Sequence, residues 1–180
     1  MQKLSVPGVP FQYAWVVADM EAAAQHWAQT VGVGPFFVSE VDSASYDGFL
    51  YRGEPGSLQM RVAWAQGAQG QIELIEVSST APNIYHDVIE PGQTGFHHVG
   101  IWSDDYVSDR AALEADGFVV AQDMSPSNIC YFDTTAQLGS MVEVIERNDG
   151  IVGLFALVAK AAEDWDGDRP LRPVAELMGG

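Results

Sequence analysis

Four polar residues lie in stretches that are otherwise strongly apolar. Gln12 lies in Phe11-Gln12-Tyr13-Ala14-Trp15-Val16-Val17, and Glu73 in Gln71-Ile72-Glu73-Leu74-Ile75-Glu76. His98 lies in Phe96-His97-His98-Val99-Gly100-Ile101, and Glu143 in Met141-Val142-Glu143-Val144-Ile145-Glu146. Each stretch reads as a strand, whose successive side chains face opposite sides. Glu73 then shares a face with Ile75 and Val77, and Glu143 with Met141 and Ile145. A carboxylate on such a face is costly unless it is paired, protonated or metal-bound. One such residue would be read as locally satisfied. Four at matched positions point to a shared, inward-facing site.

The match comes from a degenerate internal repeat. At an offset of 86 residues Gln12 falls on His98, Val16 on Trp102 and Asp19 on Asp105. At an offset of 70, the run 71–76 falls on 141–146. The elements that must position the four residues follow the same order twice. Phe11–Val17 reads as a strand, and Asp19 caps a helix that runs through Thr30 and ends at Gly32. Strands are expected at Phe36–Val41, Phe49–Tyr51, Leu58–Ala65 and Gln71–Val77, separated by turn residues. After a linker over residues 79–94, Phe96–Ser103 reads as a strand and Asp105 caps a helix to about Ala115. Phe118–Gln122, Ile129–Asp133 and Met141–Glu146 complete the second set.

These readings divide the chain into residues 9–78, the linker 79–94, residues 95–147 and a tail over 148–180. In the tail, Asn148 or Asp149 caps a helix from about Gly150 to Asp164 with Ile151, Leu154, Phe155, Leu157, Val158 and Ala161 on a broad apolar face. That face requires burial on the rest of the fold, over the site or against a second subunit. The acidic run 163–168 reads as a solvated turn.

Composition narrows the partners. The chain has 180 residues, 25 Asp and Glu against 8 Lys and Arg, a net charge of −17 and a single cysteine, Cys130. Such an acidic protein repels phosphate backbones, so nucleic-acid and anionic-membrane partners are excluded. One cysteine makes neither an internal disulfide nor a cysteine-based zinc motif. Residues 1–7 lack the apolar run of a signal peptide, and the most apolar stretch, 151–162, is too short to span a bilayer. A cytoplasmic location is expected. No nucleophile elbow, phosphate loop or dinucleotide fingerprint is present.

The four quoted segments, in this order and at these separations, resemble the vicinal oxygen chelate superfamily of glyoxalase I, methylmalonyl-CoA epimerase, extradiol dioxygenases and bleomycin-resistance proteins. The resemblance covers about residues 9–147. It implies an α+β fold of two βαβββ modules, their sheets curled around a central divalent metal, with a C-terminal helix added. By position it implies Gln12, Glu73, His98 and Glu143 as metal ligands, with Tyr13 and His97 as the alternatives one register away. This mostly oxygen donor set suits Mg, Mn, Co, Ni or Zn and differs from the two-His-one-carboxylate triad of Fe(II) oxygenases.

The resemblance is nearest to methylmalonyl-CoA epimerase-like and glyoxalase-like proteins, through Tyr131-Phe132-Asp133 and 138–143. It implies a metal-dependent isomerase, epimerase or lyase that abstracts a proton α to a carbonyl, with Glu143 or Glu73 as base and a small carbonyl or thioester substrate. A homodimer is implied as well. A metal-free drug-binding protein of the bleomycin-resistance type and an extradiol-type dioxygenase are the alternatives. An additional early glutamate base has no clear counterpart; Glu40 and Asp47 are the candidates. The eight basic residues are scattered, which disfavours coenzyme A phosphates. Trp64, Met60, Phe37 and Trp102 are read first as core and second as pocket lining. His26 reads as packed or partly exposed in the first helix, His86 as surface, Glu76 and Glu146 as solvated, and Cys130 as a buried thiol.

Overall fold

The computed structural model describes residues 10–45 and 47–179. The reading of residues 1–7 and the start of the first unit at residue 9 lie outside them. In chain order the elements are β1 (Gln12–Val16), α1 (Met20–Val31), β2 (Phe36–Asp42), β3 (Phe49–Tyr51), β4 (Glu54–Pro55), β5 (Gln59–Gly67) and β6 (Gly70–Val77). Then come α2 (Ile84–Val88), β7 (Gly95–Ser103), α3 (Tyr106–Ala115), β8 (Val119–Met124), β9 (Ile129–Asp133), α4 (Thr135–Leu138), β10 (Met141–Glu146), α5 (Asp149–Ala162) and β11 (Leu171–Pro173).

The strands form one mixed sheet in the order β11-β2-β5-β6-β1-β7-β10-β9-β8-β3-β4. The block β2-β5-β6-β1 is mirrored by β8-β9-β10-β7, and the two meet where β1 and β7 run antiparallel. The fold is thus α+β, with two βαβββ modules in a curled sheet. The repeated aspartates do the same local work in each. Asp19 accepts a hydrogen bond from the Ala22 amide and Asp105 from the Ser108 amide, capping α1 and α3. Gly32 ends α1 at φ 72°, a left-handed conformation that glycine adopts without strain.

The two faces of the sheet are packed differently. Below α1, the outer face buries Met20, Ala24, Phe36, Ala63 and Leu74. Below α3 it buries Tyr106, Cys130, Phe132 and Val144. The inner face carries Val16, Val62, Ile75, Tyr131 and Met141, and is filled at one end by Phe49, Leu58, Ile84 and Tyr85.

Three features depart from the sequence reading. The segment read as a linker contains α2, which Asn83 caps by accepting from the His86 amide and which buries Ile84 and Tyr85 inside the curl. Five residues are too few to show helical periodicity. The connection between β2 and β5 crosses the curl, so that β3 pairs with β8 at the far edge, Phe49 opposite Met124. The tail supplies β11, which pairs parallel with β2. Both sheet edges of the mirrored blocks are thereby covered.

Two smaller readings also change. Glu76 is not solvated: its carboxylate lies 2.6 Å from the Arg61 guanidinium and accepts from the Met20 amide at the start of α1. Glu146 accepts from the Asn128 side chain. The tail helix is capped by Asn148 rather than Asp149. Among the described residues, no helix is long and apolar enough to cross a membrane.

Candidate metal and substrate site

Strand register sets the candidate site in two adjacent rows on the inner face. One row reads Trp64, Glu73, Ala14, His98, Met141 across β5, β6, β1, β7 and β10. The next reads Gln66, Gln71, Gln12, Gly100, Glu143, Tyr131, continuing onto β9. The four sequence-selected residues therefore come from four neighbouring strands. All are buried, with exposures of 1% for Gln12, 7% for Glu73, 0% for His98 and 5% for Glu143.

Each of the four is held through one side and free at another. Gln12 donates its amide Nε2 to Gln71 Oε1 at 2.6 Å, while its own Oε1 has no partner. Glu73 Oε1 accepts from Trp64 Nε1 at 2.7 Å, while Oε2 has none. Glu143 lies beside the Tyr131 hydroxyl, and its Oε2 is likewise unpartnered. His98 Nδ1 faces His97 Nδ1 at 2.9 Å, leaving Nε2 without a hydrogen bond. Buried polar atoms are rarely left so, and four on one constellation call for a shared partner.

Distances fit a cation as that partner. His98 Nε2 stands 3.3 Å from Glu73 Oε2 and 3.5 Å from Glu143 Oε2. Two donors about 2.1 Å from one divalent ion, at angles of 90–110°, stand roughly 3.0–3.4 Å apart. Among the described residues, no set of three His, Cys, Asp or Glu side chains alone encloses an ion position. The Gln12 carbonyl oxygen, buried and without a hydrogen bond, is the further candidate donor. Gly100 makes room for it: a Cβ there would lie 3.0 Å from Gln12 Oε1 and 3.1 Å from Gln12 Cβ.

The histidine pair orients the nitrogen. β7 bulges against β1, with Ala14 opposite His98 but Trp15 opposite Phe96, so His97 is the extra residue. The His97 ring packs on Tyr85 and that of His98 on Tyr131, placing both in the inner core. His97 Nε2 lies 3.0 Å from the Ile84 carbonyl, which only accepts, so the N–H of His97 sits there. Burial, then the nearby His98, pushes His97 down to about 3, keeping it neutral. Its Nδ1 therefore accepts from His98 Nδ1, and the Nε2 of His98 is aimed at the two carboxylates. Burial works against charge on His98, but Glu143 and Glu73 outweigh it and push its pKa up to about 9. Burial raises the Glu73 carboxyl, with His98 opposing.

The remaining candidates separate clearly. Tyr13, the register alternative to Gln12, alternates to the other face and packs by Gly70. Trp64 belongs to the site through Glu73, and Met60 and Phe37 are buried core. Glu40, Asp47 and His26 are exposed, and His86 is half-buried beside Asn83. Cys130 is buried under α3, which pushes its thiol up to about 11. Gln71, His97 and Tyr131 were not singled out as partners. Their only signal is register, which appears once strands 59 residues apart are paired.

At the end of these rows α5 packs on β5. Phe155 stands 6.0 Å, ring centre to ring centre, from each of Phe11, Trp64 and Trp102, while Phe11 and Trp102 stack at 3.9 Å. Part of the predicted apolar face of the tail helix, with Phe155 and the fully buried Val158, is thus placed over the site, while Leu157 is exposed at 38%.

Comparison with known proteins gives a consistent picture. A family described as the Glyoxalase/Bleomycin resistance protein/Dioxygenase superfamily matches residues 11–131. Methylmalonyl-CoA epimerase from Mycobacterium tuberculosis superposes with a TM-score of 0.57 at 16% identity, covering 85% of this chain and 96% of that one. A hypothetical protein from Bacillus halodurans superposes at 0.58 with 13% identity, covering 78% and 95%. At these identities the likeness is one of fold. No curated protein sequence matches the chain.

Proposed function

The chain belongs to the glyoxalase/bleomycin resistance protein/dioxygenase superfamily, and we propose that within it the protein is a divalent-metal-dependent isomerase, epimerase or lyase acting by proton transfer α to a carbonyl. The observation that carries this reading is the set of four unpartnered atoms, Gln12 Oε1, Glu73 Oε2, His98 Nε2 and Glu143 Oε2. These residues would hold one ion, from the group Mg, Mn, Co, Ni and Zn. When bound, such an ion supplies a Lewis acid for a substrate carbonyl oxygen and offsets the negative charge that develops as the α-proton leaves.

The chain's own residues supply the rest. Glu73 and Glu143 flank His98 Nε2, at 3.3 and 3.5 Å. Either can take the proton as a general base, and for epimerisation the other returns one. The raised Glu73 carboxyl strengthens it for that role. Trp64, donating to Glu73 Oε1, fixes the orientation of that carboxylate. The apolar walls exclude water from the site. Drug binding without metal leaves the buried Gln12 Oε1 without a hydrogen bond, and the donor set disfavours an iron-dependent dioxygenase. The reading includes a cytoplasmic homodimer, supported by the exposed Val152 and Leu157 on α5.

The test is elemental analysis of purified protein, followed by exchange of substrate α-protons with solvent deuterium, screened over 2-oxo compounds and acyl thioesters. One divalent ion per chain, and exchange lost on chelation and in Gln12→Ala/His98→Ala, is the expected outcome. Exchange that persists in metal-stripped protein overturns the reading.

A further inference from the structure

Beside the candidate centre lies a cavity of about 420 Å³, lined among others by Phe11, Gln66, Gln71, Trp102 and Phe155, with no charged side chain in its lining. It continues the site. Gln66 and Gln71 belong to the same register row as Gln12 and Glu143, and Gln71 is the residue that holds the Gln12 amide. Trp102 follows Gly100 by two residues on the same face of β7, about 7 Å further along the strand. Phe155 joins the cavity to the centre from above, since it also meets Trp64, the partner of Glu73.

The chemistry of this wall is specific. Phe11 and Trp102 are already stacked on each other and present aromatic surface. Phe155 packs against both at 6.0 Å, tilted by 35° and 49°, and completes an aromatic wall. The polar lining consists of carboxamides, which donate and accept without carrying charge. Among the described residues, Arg147 lies over the Trp102 ring at 5.7 Å and is paired with Asp104 at 3.5 Å. A polyanionic group would enter without a free countercharge, on a chain whose net charge is −17.

We infer that this cavity recognises the substrate, and that the group it takes is flat and uncharged, an aryl or conjugated carbonyl compound rather than a phosphate-bearing thioester. The inference rests on the proposed proton-transfer site and names the class of molecule it serves. Phe155, on the tail helix, is the specificity-determining residue.

The experiment uses three probes that each carry α-protons: propiophenone, 3-pentanone and propionyl-CoA. Ligand-observed NMR titration measures binding to the full chain, and solvent deuterium exchange is followed on the same samples. Propiophenone is expected to bind about tenfold more tightly than either other probe, and Phe155→Ala to remove about that factor while leaving metal content unchanged. Because Phe155→Ala also loosens α5, Gln69→Lys provides a second variant: Gln69 is an exposed lining residue, and the added cation should improve propionyl-CoA binding relative to propiophenone. Propionyl-CoA binding as tightly as propiophenone in the parent overturns the inference, as does an unchanged preference in both variants. Failure of the underlying reading is separate: it shows as absent metal or absent exchange while the aryl preference stands.

Discussion

Gln12, Glu73 and Glu143 each need a neighbour that the chain brings from another strand, and His98 needs a neighbour too. For His98 that neighbour is next in sequence, but it reaches the inner core only because β7 bulges at His97. The Ile84 carbonyl fixes the proton of His97, and His97 in turn fixes that of His98. Replacing His97 with Phe keeps a ring against Tyr85 but removes the acceptor, so His98 loses its preferred tautomer. His97→Phe is expected to weaken divalent-metal binding by about 10–100-fold. Calorimetric titration of metal-stripped protein with Co(II) checks this, with circular dichroism reporting the fold. Unchanged affinity would reduce His97 to a packing residue.

At the scale of elements, the inner face is held open by what covers it and by how the outer helices attach. The start of α1 is tied to the sheet through Arg61, which pairs with Glu21 on α1 and Glu76 on β6, both within 2.7 Å. Hydrogen bonding to Arg61 lowers the Glu21 carboxyl from 4.5 to about 2. A carboxylate with a depressed folded-state pKa stabilises the fold above 4.5, and that contribution is lost as pH falls toward 2. Glu21 is 64% exposed in its side chain, so solvent screening limits the effect to below about 1 kcal/mol. Urea unfolding at pH 6 and pH 3 should therefore show a stability difference that Arg61→Gln reduces. An identical difference in the variant would remove the brace from the account.

For the whole molecule, closure is what makes one site from two modules. The crossing strand β3 pairs with β8, and Arg52 behind it reaches Asp87 in α2 and Asp133 at the end of β9 at 2.7 and 3.1 Å. The hairpin thus ties the first module's connection to the second module's edge. On the outside, α5 leaves Val152 and Leu157 at 41% and 38% exposure. If this side joins two copies, light scattering should give twice the 19.5 kDa chain mass, and Leu157→Lys should shift it toward the single chain. A monomeric parent at micromolar concentration would rule the homodimer out.

Much of this was legible from local chemistry. The two aspartate caps, the β-α-β order and the four polar residues on apolar faces are written in runs of fewer than a dozen residues, because capping and strand alternation act over that range. The placement of Phe155 was half legible: its helix had an apolar face, but three surfaces competed for it. What only the tertiary structure decided are the pairings across long separations. Gln71 against Gln12, Trp64 against Glu73, Tyr131 beside Glu143 and β3 against β8 depend on register, and register is settled by packing of the whole sheet rather than by any one strand. The sequence by itself determined which residues could bind a cation. The curl of the sheet decided that His98 Nε2 meets the Glu73 and Glu143 carboxylates, and that the wall beside them is aromatic and uncharged.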